Sequence, residues 1–327
     1  MGKSKYFFGQ STLGQVLKLI PGSIVSRAVK STGSDFAVKK FSTLNHLYTM
    51  CYAVLADVSG LRHVCDGLLA IGEKLRHLGL DYVVPKSTLS DSNKNRNSDV
   101  FGQIYQGLYH HYQSFLSDSS TVEPLLRKAY AVDSTTISLF KAILKASGRK
   151  SKDGNPKGGI KSHIQIRLLD ELPINVKFTP GANNDHDFLK DLVLEKGDIA
   201  IFDKAYVDYA QYAKWSREGI SFVTREKDNA KSITLTEREL PIDKDFEILL
   251  DEEVIKEYKD EDNQTQKFAL RRTVVWSDKH QETIILLTNM FHLEASEISF
   301  LYRKRWRIEL LFKQLKQKLP TQVFFRG

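Results

Sequence analysis

A chain of 327 residues, 41% hydrophobic and 10% aromatic, can bury a sizeable core in two or three units and is not a disordered sequence. Its net charge of +8 suits an anionic partner, while no apolar run approaches the roughly 18 to 20 residues of a membrane span. The two cysteines, Cys51 and Cys65, sit in apolar helix-like sequence and make no metal-ligand pattern, so they read as reduced core residues of a cytosolic protein.

The opening "MGKSKYFFGQ" has neither an apolar h-region nor a cleavage site, so a cytoplasmic location is expected. Charge is unevenly spread: residues 1–50 carry +6, residues 251–300 carry −5 and residues 301–327 carry +7. Basic clusters in separate segments are the footprint of a protein that meets phosphates.

From about Ser11 to Leu80, apolar residues recur at three- and four-residue spacing, which predicts helices broken at Ser59-Gly60 and Gly79. After Pro85, "KSTLSDSNKNR" reads as a polar helix with Ser87 as a candidate N-cap. A helix ending at "HLGL", a turn and this segment are compatible with a helix-turn-helix, although short polar helices after a glycine turn are common. "FGQIYQGLYHHYQSFL" extends the helical pattern, with His110 and His111 on its surface.

The character changes at Tyr130. "YAVDSTTISLF" is a short β-branched strand, and the basic "KASGRKSKDGNPKGG" is expected to be loop. "IKSHIQIRLLD" and "LPINVKFTPG" read as antiparallel neighbours turning at Asp170-Glu171. "NDHDFLKDLVLEK" is expected as a helix, "GDIAIFDKAY" as a buried strand, "YVDYAQYAKWSREG" as a helix and "ISFVTREK" as a strand. That order predicts a mixed α/β sheet. Residues 229–280 read as a β-rich insertion with an acidic loop "KDEDNQTQ", returning to the main sheet through "TIILLTN". The organisation expected is a helical N-terminal DNA-binding region over 1–125, an α/β core over 126–228, the insertion over 229–280 and a second core segment over 281–327.

The basic stretch "LYRKRWRIELLFKQLKQKL", Leu301 to Leu319, carries seven lysines and arginines but one acid, Glu309. On a single helix with Tyr302 at zero, Arg305 falls at about 300°, Glu309 at about 340° and Lys316 at about 320°. These four form one polar stripe beside an apolar arc of Ile308, Leu311, Phe312, Leu315 and Leu319. Two further acids, Asp133 and Asp203, follow apolar strand residues at places where sites form. Taken singly, either could be a turn or helix-capping aspartate, and the helix could be an ordinary amphipathic one. Three acids converging on one spot would repel each other unless cations neutralise them. All-oxygen donors imply Mg²⁺ or Mn²⁺, and paired ions activate water for phosphodiester displacement. Arg305 and Lys316 would then hold phosphate and Tyr302 a DNA end.

The Tyr-x2-Arg-x3-Glu-x6-Lys spacing of Tyr302, Arg305, Glu309 and Lys316 resembles the signature of a branch of bacterial insertion-sequence DDE transposases, insertion-sequence family four. Asp133 in "AVDST" and Asp203 in "IFDKAY" match its first two acids, and "KGGIKSH" and "NDHDFL" resemble stretches between them. The resemblance implies a ribonuclease H-like α/β fold, with a mixed sheet flanked by helices, a β-rich insertion and an N-terminal helical domain. It implies catalysis and metal binding by Asp133, Asp203 and Glu309 with two Mg²⁺ ions, and cut-and-paste chemistry through a hairpin at the transposon end. Tyr302, Arg305 and Lys316 would bind DNA, and an aromatic of the insertion would stack on a flipped base. Trp276 is the candidate, although it reads equally as a core residue. Transposon-end DNA, target DNA and a second copy of the chain are the implied partners, and a nucleoid association follows. The family pattern continues through further helices after Lys316, so the chain ending at Gly327 reads as shortened. The competing expectation is a catalytically impaired derivative that binds transposon ends and competes for them.

Overall fold

The computed structural model describes residues 11–318, apart from residues 59, 118–123, 139–147, 151–155, 182, 228–229, 241–245, 261 and 278–280. They divide into two compact units, residues 1–119 with 314–327, and residues 120–313.

The first unit is helical. Its helices are α1 (Thr12–Lys18), α2 (Gly22–Thr32), α3 (Thr43–Leu55), α4 (Leu61–Ile71), α5 (Lys86–Asn95) and α6 (Asp99–Ser117). Ser11 and Ser42 cap α1 and α3 by accepting from the backbone amides of Gly14 and Asn45. The apolar spacing read from the sequence becomes a core of Leu17, Val64, Leu68, Leu75, Leu78 and Leu89. Pro85, not Ser87, precedes the first turn of α5, with no side-chain cap. Its fixed φ, −62°, leads the chain into the helix without one. His110 and His111 are exposed on α6 as expected.

The second unit is built on one sheet. Its strands are β1 (Ala129–Ser138), β2 (Gly148–Lys150), β3 (Pro156–Arg167), β4 (Leu172–Pro180), β5 (Ile199–Phe202), β6 (Ser221–Arg225), β7 (Ile233–Glu237), β8 (Glu247–Lys259), β9 (Thr265–Ser277) and β10 (Glu282–Thr288). The order is β2-β3-β1-β5-β6-β10-β9-β8-β7, with β4 on β3. β1, β5 and β6 are parallel neighbours and the remaining pairs are antiparallel. The sheet is mixed as predicted, and β9, β8 and β7 continue it without a break.

β5, "IAIF", is buried at every position, so it is covered on both faces. Alternation sends Ala200 and Phe202 into an aromatic core with Val132, Tyr212, Trp215 and Phe222. Tyr212 and Trp215 come from α7 (Tyr209–Glu218), which Asp208 caps at one end. Gly219 ends it in the left-handed region at φ 74°, where a side chain would be strained. Two further helices follow, α8 (Ala295–Lys304) and α9 (Trp306–Lys318).

Three local expectations need correction. "NDHDFLKDLVLEK" forms only a 3₁₀ turn over His186–Asp191, which ends as Leu192 turns extended and Phe188 and Leu189 sink into the core. The basic loop lies mostly outside the described residues, but Gly148–Lys150 pairs with Pro156–Gly158 as a strand. The helix of Leu301 to Leu319 is two helices that meet at Arg305, where the amides of Arg305 and Ile308 bond carbonyls three residues back.

Candidate active site

Asp133 and Asp203 lie on parallel neighbours. Val132 pairs with Phe202, so each acid stands one residue beyond that rung at the same end of the sheet. Neither does the local work an isolated aspartate usually does. Asp133 is inside β1, not at a turn, and Asp203 makes no capping bond to the 3₁₀ turn that follows it. Its Oδ1 instead accepts from the Tyr302 hydroxyl at 3.2 Å.

The helix junction supplies the rest. Arg305 Nη1 lies 3.4 Å from Asp133 Oδ2, and Nη2 donates to Glu309 Oε1 at 2.6 Å. A single guanidinium therefore bridges acids that are 176 residues apart in the chain. Because α9 starts at Trp306, Glu309 is in its first turn, where the helix dipole favours a negative charge. Arg225, at the end of β6, is half-buried, paired with Glu282, and within electrostatic reach of Tyr302 and Asp203. Sequence reasoning missed it. The available signal was a basic residue closing the buried strand "ISFVTR" next to β5.

Burial, with repulsion from Glu309 and Asp203 added, pushes the Asp133 carboxyl up to about 6 against the pull of the Ser134 amide and Arg305. Burial opposes the Arg305 charge, but Tyr302, Asp133 and Glu309 outweigh it and the net shift is upward. Burial, helped by Asp203, pushes the Tyr302 hydroxyl up to about 12. Arg305 Nε is buried without a hydrogen-bond partner, and the buried Tyr206 hydroxyl lies beside Ser134.

Among the described residues no three acid, histidine or cysteine side chains are gathered closely enough to hold one ion. Arg305 stands between Asp133 and Glu309 as their counter-charge. The donor set still fits a hard divalent cation: the acids offer oxygen only, and one guanidinium leaves Asp133 short of neutralisation. Lys316 belongs to the helical unit. Trp276 is half-buried on β9 opposite Thr283 of β10. Leu286 pairs with Arg225, so Trp276 lies about 10 Å, three strand residues, beyond the end of β6.

A buried acid with a raised pKa makes a signed prediction. Folded Asp133 keeps a proton that the unfolded chain releases, so its contribution to stability falls as pH rises from 3.8 to about 6. Above that window the penalty is fully present. Asp133→Asn should therefore stabilise the metal-free protein by about 1–3 kcal/mol at pH 8 and by little at pH 4. Urea unfolding in chelator at the two pH values checks this, and an equal effect at both would refute it.

Comparison with known proteins places residues 124–320 in a family described as "Transposase DDE domain" and residues 8–81 in "Domain of unknown function (DUF4372)". The chain is 29% identical over 239 residues to "Putative transposase y4zB" of Sinorhizobium fredii (strain NBRC 101917 / NGR234), covering 72% of this chain and 63% of that protein. It is 26% identical over 200 residues to "Probable transposase for insertion sequence element IS5377" of Geobacillus stearothermophilus, covering 59% and 49%. The matched region thus spans less than two thirds of either relative. Among solved structures it is similar to a piggyBac transposase synaptic complex with hairpin DNA, at 13% identity and TM-score 0.43, covering 94% of this chain and 68% of that one. No helix among the described residues is long and apolar enough to cross a membrane.

Proposed function

Because the chain belongs to the transposase DDE domain family, we propose that it is a DNA transposase of the insertion-sequence family-four branch that cuts and joins insertion-sequence ends. Asp133, Asp203 and Glu309 are its catalytic, metal-binding acids. The observation that carries this reading is the Arg305 bridge between Asp133 and Glu309, with Asp203 held beside it by Tyr302. Acids so distant in sequence converge at one end of a sheet only at a cost in repulsion, which a shared function explains. The β4-β3-β1-β5-β6 order supports a ribonuclease H-like core.

Two Mg²⁺ ions, or Mn²⁺, held by the three acids would activate the attacking water or hydroxyl and stabilise the leaving oxygen. The chain's own residues do the holding. Arg305 neutralises the acids in the free protein and exchanges them for phosphate oxygens when DNA and cation arrive. Arg225 and Tyr302 flank the same phosphate, with Lys316 further along α9. Trp276 would stack on a base displaced from the end. The cut-and-paste route would begin with water attack that releases a 3′-hydroxyl at the transposon end. That hydroxyl would attack the opposite strand, closing a hairpin and expelling the flanking DNA, and a second water would reopen the hairpin so that the 3′-hydroxyl can join target DNA. The helical unit, including the α4–α5 segment, binds the transposon end, and two copies of the chain act together on the paired ends.

The direct test is cleavage of DNA carrying the inverted repeats that flank this coding sequence. Nicking at the repeat boundary with Mg²⁺ but not with chelator is expected. End binding should weaken log-linearly with salt, with a slope of about −0.9 per phosphate contact. Salt-sensitive binding without nicking would mark the chain as an end-binding competitor instead.

A further inference from the structure

Asp133 has a second set of neighbours, on the far face of its strand. Adjacent strand residues point to opposite faces, so Ser134 faces away from Arg305 and Glu309, on the side of Val132 and the aromatic core. Ser134 is tied in both directions. Its backbone amide donates to Asp133 Oδ1 at 2.7 Å, and its hydroxyl donates to Asp185 Oδ1 at 2.6 Å.

Asp185 is itself held. Lys161 Nζ lies 3.2 Å from its Oδ2 and also donates to the Asn183 carbonyl at 3.0 Å, fixing the loop that carries the acid. His163, 1% exposed, packs its ring on Phe188 at 5.1 Å and bonds Thr179 Oγ1 through Nε2 at 2.8 Å. Its Nδ1 lies 3.7 Å from Asp185 Oδ1. The register explains the convergence: Ser134 pairs with His163 and Thr136 with Lys161, so the β3 side chains stand beside Ser134 on one face.

Ser134 joins this set to the Arg305 cluster, through its amide on Asp133 Oδ1. Asp185 is half-buried and off the strands, yet both Lys161 and the Ser134 hydroxyl fix its carboxylate. We propose that Asp185 is a positioning residue which, through the Ser134 hydroxyl, fixes the Asp133 carboxylate for metal binding, with Lys161 holding Asp185 in place. The proposal rests on the reading of Asp133 as a metal-binding acid. Asp133 must leave the Arg305 guanidinium to meet a cation, and the Ser134 amide is then the contact that keeps one oxygen aimed. Locking the Ser134 hydroxyl to Asp185 limits rotation of that peptide.

Direct Mn²⁺ binding to the full chain, measured by electron paramagnetic resonance without DNA, tests this. Outer partners of metal-binding side chains typically shift metal affinity by about 10-fold to 100-fold. Ser134→Ala and Asp185→Asn should each weaken Mn²⁺ binding in that range, and Ser134→Thr, which keeps the hydroxyl, should restore it. Because both changes break one bond, the double variant should lose little more than either alone. Thermal midpoints alone would not separate a positioning role from a structural one, but the Thr rescue of metal affinity does. If Asp133→Ala lowers Mn²⁺ affinity and both Ser134→Ala and Asp185→Asn bind within about twofold of wild type, on the 10-fold scale expected, the positioning role is overturned and the acid assignment stands. If Asp133→Ala itself has no effect, the metal assignment fails and the proposal falls with it.

Discussion

Glu309→Gln should lower Mg²⁺-supported nicking of transposon-end DNA by about 10²-fold to 10³-fold or more while end binding stays level or tightens. Gln keeps the size of the side chain but removes the charge a hard cation needs. A bound cation contributes several kcal/mol to a charge-separating transition state, and each ~1.4 kcal/mol is tenfold in rate. DNA affinity moves the other way because one phosphate-repelling charge is gone. The structure adds a distinguishing feature. Arg305, which donates to Glu309 at 2.6 Å, loses its closer acidic partner and is left with Asp133 at 3.4 Å. It is then freer to meet phosphate, so the binding gain should vanish in Glu309→Gln/Arg305→Ala. Arg305→Ala alone should weaken binding and cleavage together. Wild-type nicking by the Gln variant would return Glu309 to an ordinary acid on a basic helix.

The parts of this site that could be read from the sequence are those whose signal is local. Asp133 and Asp203 each follow an apolar strand, and Glu309 is the lone acid of a basic helix, so composition within ten residues marks them. What Arg305 does was less legible. The stripe places it beside Glu309, which holds, but a straight helix would not anticipate the tight turn between α8 and α9 at Arg305. Its reach to Asp133, across 172 residues, is a product of tertiary packing. Arg225 and Asp185 escaped for the same reason. One is a strand-end arginine, the other an acid in a polar loop, and only β5–β6 pairing or the β1–β3 register reveals what they face. "NDHDFLKDLVLEK" misled because its apolar spacing also suits a turn that inserts Phe188 and Leu189 into a core formed by other elements.

Strands β8 and β9 carry the largest expected effect on stability. Asp251 on β8 and Arg271 on β9 are each 2% exposed, and they meet twice, Nε to Oδ1 at 2.8 Å and Nη2 to Oδ2 at 2.6 Å. Arg271 also donates to the carbonyls of Met290 and Leu293, just ahead of α8. The pair thus ties the β8–β9 ribbon to the segment that launches the helix bearing Tyr302. Removing one member of a buried pair strands the other charge, which costs about 3–5 kcal/mol. Asp251→Ala should lower unfolding stability by that amount, although Arg238, 3.8 Å from Asp251, loses only a half-exposed contact. Replacing both partners by apolar residues, Asp251→Leu with Arg271→Met, removes the stranded charge and should recover part of the loss. Recovery should stop short of wild type, because the Met290 and Leu293 carbonyls would still lack the guanidinium that satisfies them. Urea unfolding of the two variants decides it. A double variant no more stable than Asp251→Ala would mean that the tie to α8, and not charge pairing, is what the arginine contributes. Metal-dependent nicking would then fall in both variants, since the Tyr302 contact to Asp203 depends on where α8 starts.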